Sequence, residues 1–119
     1  MAVLVPFRAV RPTPEAAARV AAVPYDVVNV DEAQELAQGN PLSFLHVSRA
    51  EIDLPPVTNP YGDDVYAAAA ENFGALKATA PLVVEDAPSV YVYRLRMGGH
   101  VQTGVAACYS LDEYDAGTI

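Results

Sequence analysis

The stretch SVYVYRLRMGGHVQTGVAACYS, residues 89–110, leaves this chain few choices of structure. Two runs rich in β-branched and aromatic residues meet at Gly98 and Gly99, which can supply the positive φ angles of a two-residue hairpin turn. In that register Met97 faces His100, Tyr93 faces Gly104 and Tyr91 faces Ala106, so large rings cover small partners. The reverse face carries Val90, Val92, Arg94 and Arg96 beside Val101, Thr103, Val105 and Ala107. The fragment MGGH is too short for a phosphate-cradling loop, and the hairpin accounts for both of its glycines.

The other segments suggest a mixed chain without internal repeats. AVLVPFRAV alternates like a strand, with Pro6 placing it at an edge or bulge. In RPTPEAAARVA, Thr13 can cap a short helix that has Pro14 at its first position. VAAVPYDVV is extended at its centre, because a residue before proline is pushed out of the helical region. DEAQELAQGN predicts a helix with Asp31 as N-cap and Gly39 as stop. PLSFLHVSR is taken as a strand with Phe44 and His46 on one face, Leu45 and Val47 on the other. After the proline-rich loop EIDLPPVTNPYG, a helix is predicted over 60–79, with Asn59 as cap and Val65, Ala69, Phe73, Leu76 and Ala80 at helical spacing. LVVE is a short strand, and in the tail Asp112 and Gly117 can bound one helical turn. The sum is an α+β domain over residues 1–119, a mostly antiparallel sheet with two or three helices on one face. It is expected to be the N-terminal module of a longer polypeptide.

Composition narrows the function classes. The net charge is −8, from 15 acidic against 7 basic residues, which opposes direct binding to nucleic acid or to anionic lipid. Six of the seven basic residues are Arg, which suits forked contacts to carboxylate or phosphate. Cys108 is the lone cysteine, so there is no internal disulfide, and its small apolar neighbours suggest a packed thiol. His46 and His100 show no metal-ligand spacing, and no metal site is expected. Nothing approaches the ~20 apolar residues of a membrane span, and no signal-peptide pattern opens the chain, so the expected compartment is the cytoplasm.

Asp26 stands alone in the apolar run AAVPYDVVNV. Its plain reading is a turn or cap that bonds nearby backbone N–H groups. Its functional reading is a catalytic carboxylate facing a pocket, where it holds a ligand ammonium or acts as a base toward a hydroxyl. Tyr25 either fills core or orients the substrate. Arg94, expected to be partly enclosed by Val90 and Val92, is a substrate anion contact or an ion-pair partner for Asp26. Arg96, near the turn, is expected to be exposed. His46, with Asn40 and Ser43 nearby, is a satisfied core histidine or a substrate contact. Arg8 and Arg11 are surface residues or an anion-binding pair.

Several segments together, VPFRAVRP, VPYDVVNVDEAQELAQGNPLSFLHVSRAEIDLPP and YVYRLRMGGHVQTGVAACYSLDEY, resemble the start of the domain-of-unknown-function family 1015 over nearly the whole chain. That resemblance implies a longer protein whose later part carries an Asp-Gly-His-His-Arg motif like that of ParB-related free serine kinases. The motif is absent from these residues. The resemblance further implies a nucleotide-dependent phosphotransferase acting on a small hydroxylated, serine-like metabolite. Nucleotide and magnesium are expected only for the full-length protein, and the isolated fragment is expected to be inactive. The alternatives are a non-catalytic ligand-binding or regulatory module of a ParB-like protein, and an assembly module that forms homo-oligomers through its hairpin edge.

Overall fold

The structure, a computed structural model, describes residues 3–56 and 58–119. Ala2 of the first expected strand and Val57 of the proline-rich loop lie outside the described residues. The fold is α+β, as the sequence suggests. In chain order it comprises β1 (Leu4–Val5), β2 (Val10–Pro12), α1 (Pro14–Val20), a 3₁₀ turn (Tyr25–Val27), α2 (Val30–Ala37), α3 (Leu45–Ser48), a second 3₁₀ turn (Ala50–Asp53), α4 (Asp63–Thr79), β3 (Leu82–Val84), β4 (Tyr91–Met97), β5 (His100–Ala106), β6 (Cys108–Tyr109) and α5 (Leu111–Asp115). Contacts divide the chain into two compact units. Unit 1 joins residues 1–11 to 84–119, and unit 2 is the helical segment 12–83. Among the described residues no helix is long and apolar enough to cross a membrane.

Unit 2 contains every buried apolar side chain among the described residues. One cluster packs Ala16 and Val20 of α1 against Leu76 and Ala80 at the end of α4. A second packs Ala33 and Ala37 of α2 against Leu45 and Ile52. Helix α2 begins one residue before the sequence-predicted cap. Asn29, not Asp31, is the N-cap: its side chain accepts from Glu32 N at 2.9 Å, and the Glu32 carboxylate accepts from Asn29 N at 2.8 Å. This reciprocal capping box satisfies two donors at once, and it turns Ala33 and Ala37 inward. The helix stops where expected. Asn40 N donates to Ala37 O across a turn in which Gly39 takes φ +71°, the left-handed angle a type II turn requires.

The expected strand over 41–49 is instead helical. Asn40 and Ser43 accept hydrogen bonds from Leu42 N and Leu45 N, winding the chain into α3. Alternation over four residues fits a helical turn as well as a strand, and burial decides between them. Leu45, 2% exposed, seats against α2, while Phe44 meets the Phe73 ring edge-on at 6.4 Å. Helix α4 starts at Asp63 behind Gly62, later than the predicted residue 60, because Asn59 closes a separate turn with Tyr61 N and Gly62 N.

Unit 1 is built on the hairpin. The β4–β5 register runs from Met97↔His100 to Tyr91↔Ala106, as the sequence implies. Of the two turn glycines only Gly98 takes a positive φ, +57°; a positive angle at the first central residue alone is the requirement of a type II′ turn. Antiparallel β1–β6 pairing and a Phe7–Ser89 bridge tie the N-terminal strand to the hairpin's base. The Tyr91 hydroxyl donates to Phe7 O at 2.9 Å and accepts from Ala9 N at 3.0 Å. Helix α5 is capped by Ser110 rather than Asp112, and ends with Thr118 N on Glu113 O and Gly117 N on Tyr114 O, the Schellman pattern.

Leu45→Ala is expected to cost about 2–5 kcal/mol in denaturant unfolding, since the side chain it truncates is fully enclosed. Phe44→Ala, at a position 38% exposed, is expected to cost clearly less. Equal losses at the two positions would contradict the helical placement.

Candidate functional site

In unit 2 a cavity of about 720 Å³ opens between α2, the Gly39 turn, α3 and the second 3₁₀ turn. Its lining includes Asp31, Gln34, Glu35, Gln38, Asn40, His46 and Asp53. Gln34 Nε2 donates to Ile52 O at 3.1 Å, fastening α2 to the 3₁₀ turn along one wall. Asn40 Nδ2 donates to Arg19 O at 2.7 Å, which holds the loop after α2 against α1.

At the mouth, three polar side chains from three elements form one network. His46 Nδ1 donates to the Asp53 carboxylate at 2.9 Å. Asn72 Nδ2, from α4, donates both to Asp53 Oδ2 at 2.9 Å and to His46 O at 2.7 Å. His46 Nε2 lies 3.2 Å from Asn40 O. A carboxylate is an acceptor only, so His46 Nδ1 carries the proton of that contact and the ring orients Asp53. Asp53, its side chain 37% exposed, keeps acceptor capacity toward the cavity. The arrangement can accept hydrogen bonds from a ligand hydroxyl or ammonium. The lining of this cavity includes no Arg or Lys, so phosphate is a poor fit there. Among the described residues no group of three His, Cys, Asp or Glu side chains is placed to hold a metal ion.

Of the residues singled out in the sequence, His46 and its neighbour Asn40 lie at this cavity. Asp26 and Tyr25 occupy the exposed first 3₁₀ turn, beside a smaller cavity lined by Val27, Val28, Glu32, Glu35 and Leu36. The others belong to unit 1. Arg8 Nε donates to Glu85 O at 2.6 Å, and Arg11 pairs with the Glu85 carboxylate. Arg94, expected to be partly enclosed, is exposed, because the hairpin stands with both faces open; its Nε donates to Thr103 Oγ1 at 3.2 Å. Arg96 is exposed, as expected. Cys108, expected to be packed, is exposed on β6. Asp53 and Asn72 had no signal in the sequence: Asp53 reads as part of a loop and Asn72 as a polar position on a long helix.

The family model for the protein of unknown function DUF1015 matches residues 4–119. The chain belongs to this family. No curated protein and no solved structure matches it. The stretch EIDLPP contains Asp53 and also a buried acid. Glu51, 9% exposed, lies 3.0 Å from Arg49 Nε in a charge contact without hydrogen-bond alignment. It also lines a cavity of about 210 Å³ walled by Leu54, Pro55, Pro56 and Pro60.

Removing one partner from an enclosed ion pair strands the other charge. Arg49→Met is therefore expected to destabilise the protein by about 3 kcal/mol in urea unfolding, and Arg49→Met with Glu51→Leu to recover most of that loss. If both variants unfold like the parent, the pair contributes nothing.

Proposed function

We propose that the cavity beside α2 binds a small hydroxylated metabolite carrying an ammonium group, and that it serves as the acceptor site of a cytoplasmic phosphotransferase of which this chain forms the N-terminal part. The observation that carries the reading is Asp53, a partly exposed carboxylate fixed by His46 and Asn72 at the wall of a roomy polar cavity. Asp31 and Glu35 share the lining and favour a cationic group over an anionic one. A fixed carboxylate meets an incoming ammonium without the cost of ordering itself first. In this reading His46 positions Asp53 and contacts the substrate, and Asp53 takes the role for which Asp26 stood out.

The phosphotransfer part is supported by the chain's resemblance to proteins whose later segment carries the Asp-Gly-His-His-Arg motif. An anionic nucleotide, expected with magnesium for the full-length protein, is a poor electrostatic match for this cavity, since three carboxylates and no Arg or Lys line it. A second reading, a ligand-binding or regulatory module without turnover, is favoured by one feature. Both His46 nitrogens face protein acceptors, the Asp53 carboxylate and Asn40 O, so the ring is oriented by the protein itself rather than aimed at a substrate hydroxyl.

A thermal-shift series on the full-length protein with serine, ethanolamine and glycerate tests the site. A ligand at 100 times its Kd adds about 2.7 kcal/mol to stability, a rise of several degrees in Tm. Serine and ethanolamine are expected to produce it and glycerate is not. Asp53→Asn is expected to weaken binding at least tenfold, while Asp26→Ala leaves it unchanged. Loss of binding in Asp26→Ala with none in Asp53→Asn would move the site to the first 3₁₀ turn. Binding with no phosphate transfer from ATP or ADP would select the regulatory reading.

A further inference from the structure

Strand β5 has an outer edge that pairs with no other strand among the described residues, since its sheet consists of β4 and β5 alone. In a ladder closed by a two-residue turn, Met97 and His100 form a hydrogen-bonded pair and the pairs then alternate. The backbone N–H and C=O groups of Val101, Thr103 and Val105 therefore point outward, along that edge. Natural edge strands are blunted by charge, proline or bulges. The other edge, on β4, carries Arg94 and Arg96; β5 from His100 to Ala106 carries no Lys, Arg, Asp, Glu or Pro. Val101 and Val105 are about half exposed, at 45% and 53%. Unit 1 has no buried apolar side chain among its described residues, and a lone two-stranded hairpin is marginal in water.

The edge is complementary to itself. Antiparallel pairing of two copies about a two-fold axis at Thr103 sets Thr103 against Thr103 and Val101 of one copy against Val105 of the other. The outward backbone groups then meet one another, and the paired side chains are β-branched, which suits cross-strand packing. The same operation on β4 about Arg94 would oppose like charges, which is destabilising. Charge across the whole chain points the same way. Two copies at −8 repel, yet residues 87–111 contain no acidic residue, so the hairpin is where they can approach.

We infer that the protein associates with a second copy of itself by antiparallel pairing of the two β5 edges about Thr103, forming a four-stranded sheet. The contact lies wholly in unit 1, and it stands or falls separately from ligand binding in unit 2.

Sedimentation across the micromolar range is expected to show a concentration-dependent monomer–dimer equilibrium. Thr103→Lys, at an exposed position, sets like charges opposite each other at the axis and is expected to weaken dimerisation roughly tenfold or more, with circular dichroism unchanged. Independently, in a Cys108→Ser background, Thr103→Cys is expected to cross-link under mild oxidation. Directly opposed hydrogen-bonded residues place their Cα atoms about 5.5 Å apart, within disulfide reach. Val101→Cys, whose two copies lie at opposite ends of the seam, is expected to stay uncross-linked. A monomer at every concentration, a dimer of parental affinity in Thr103→Lys, or equal cross-linking at 101 and 103 would each overturn the inference.

Discussion

The Asp53 carboxylate is the point on which unit 2 turns. It receives His46 Nδ1 from α3 and Asn72 Nδ2 from α4, and it sits on the 3₁₀ turn between those helices. Helix α3 is a single turn of four residues, too short to be stable by itself, because helix nucleation is unfavourable. Two things hold it: Leu45 packed into the α2 cluster and the polar network around Asp53 on the other side. The cavity wall follows from that arrangement. Without the carboxylate, the His46 ring would have no anion to orient it and the mouth of the cavity no fixed acceptor.

The two units rest on different physics. Unit 2 gains stability from enclosed Ala, Val, Leu and Ile side chains, with Ser43 and Glu51 the polar residues buried among them. Unit 1 relies on backbone ladders and on one hydroxyl, Tyr91, that bonds the backbone at residues 7 and 9 across a long sequence separation. Its apolar side chains remain largely in contact with water: Val92 is 72% exposed and Met97 82% exposed. A surface of that kind suits association, whereas the open polar cavity of unit 2 suits a small ligand.

Local features were legible in the sequence. The hairpin register follows from two adjacent glycines and from large residues facing small ones, all within a few positions of one another. The stop at Gly39 and the start of α1 at Pro14, just after Thr13, are likewise short-range consequences of backbone angles. Over 41–49 and at the site, where the reading failed, a distant partner had decided. Leu45 alternates with Phe44 as it would in a strand, but α2 and Ile52 supply the surface that draws it into a helix. Asp31 has the chemistry of a cap, but Asn29 can exchange bonds with Glu32 and so sets the start of α2. Asp53 and Asn72 looked ordinary because they lie 19 positions apart and meet only after the chain has folded.

From the sequence alone follow the α+β class, the hairpin with its turn, and His46 as a residue to watch, because each depends on neighbours a turn or a strand pair away. Tertiary structure alone decided that an aspartate from a proline-flanked loop would face that histidine and that Asp26 would stand on an exposed turn. It also decided that, among the described residues, no third strand would pair with the outer edge of β5. These outcomes depend on which surfaces are buried together, and burial is a property of the whole chain's packing rather than of any one segment.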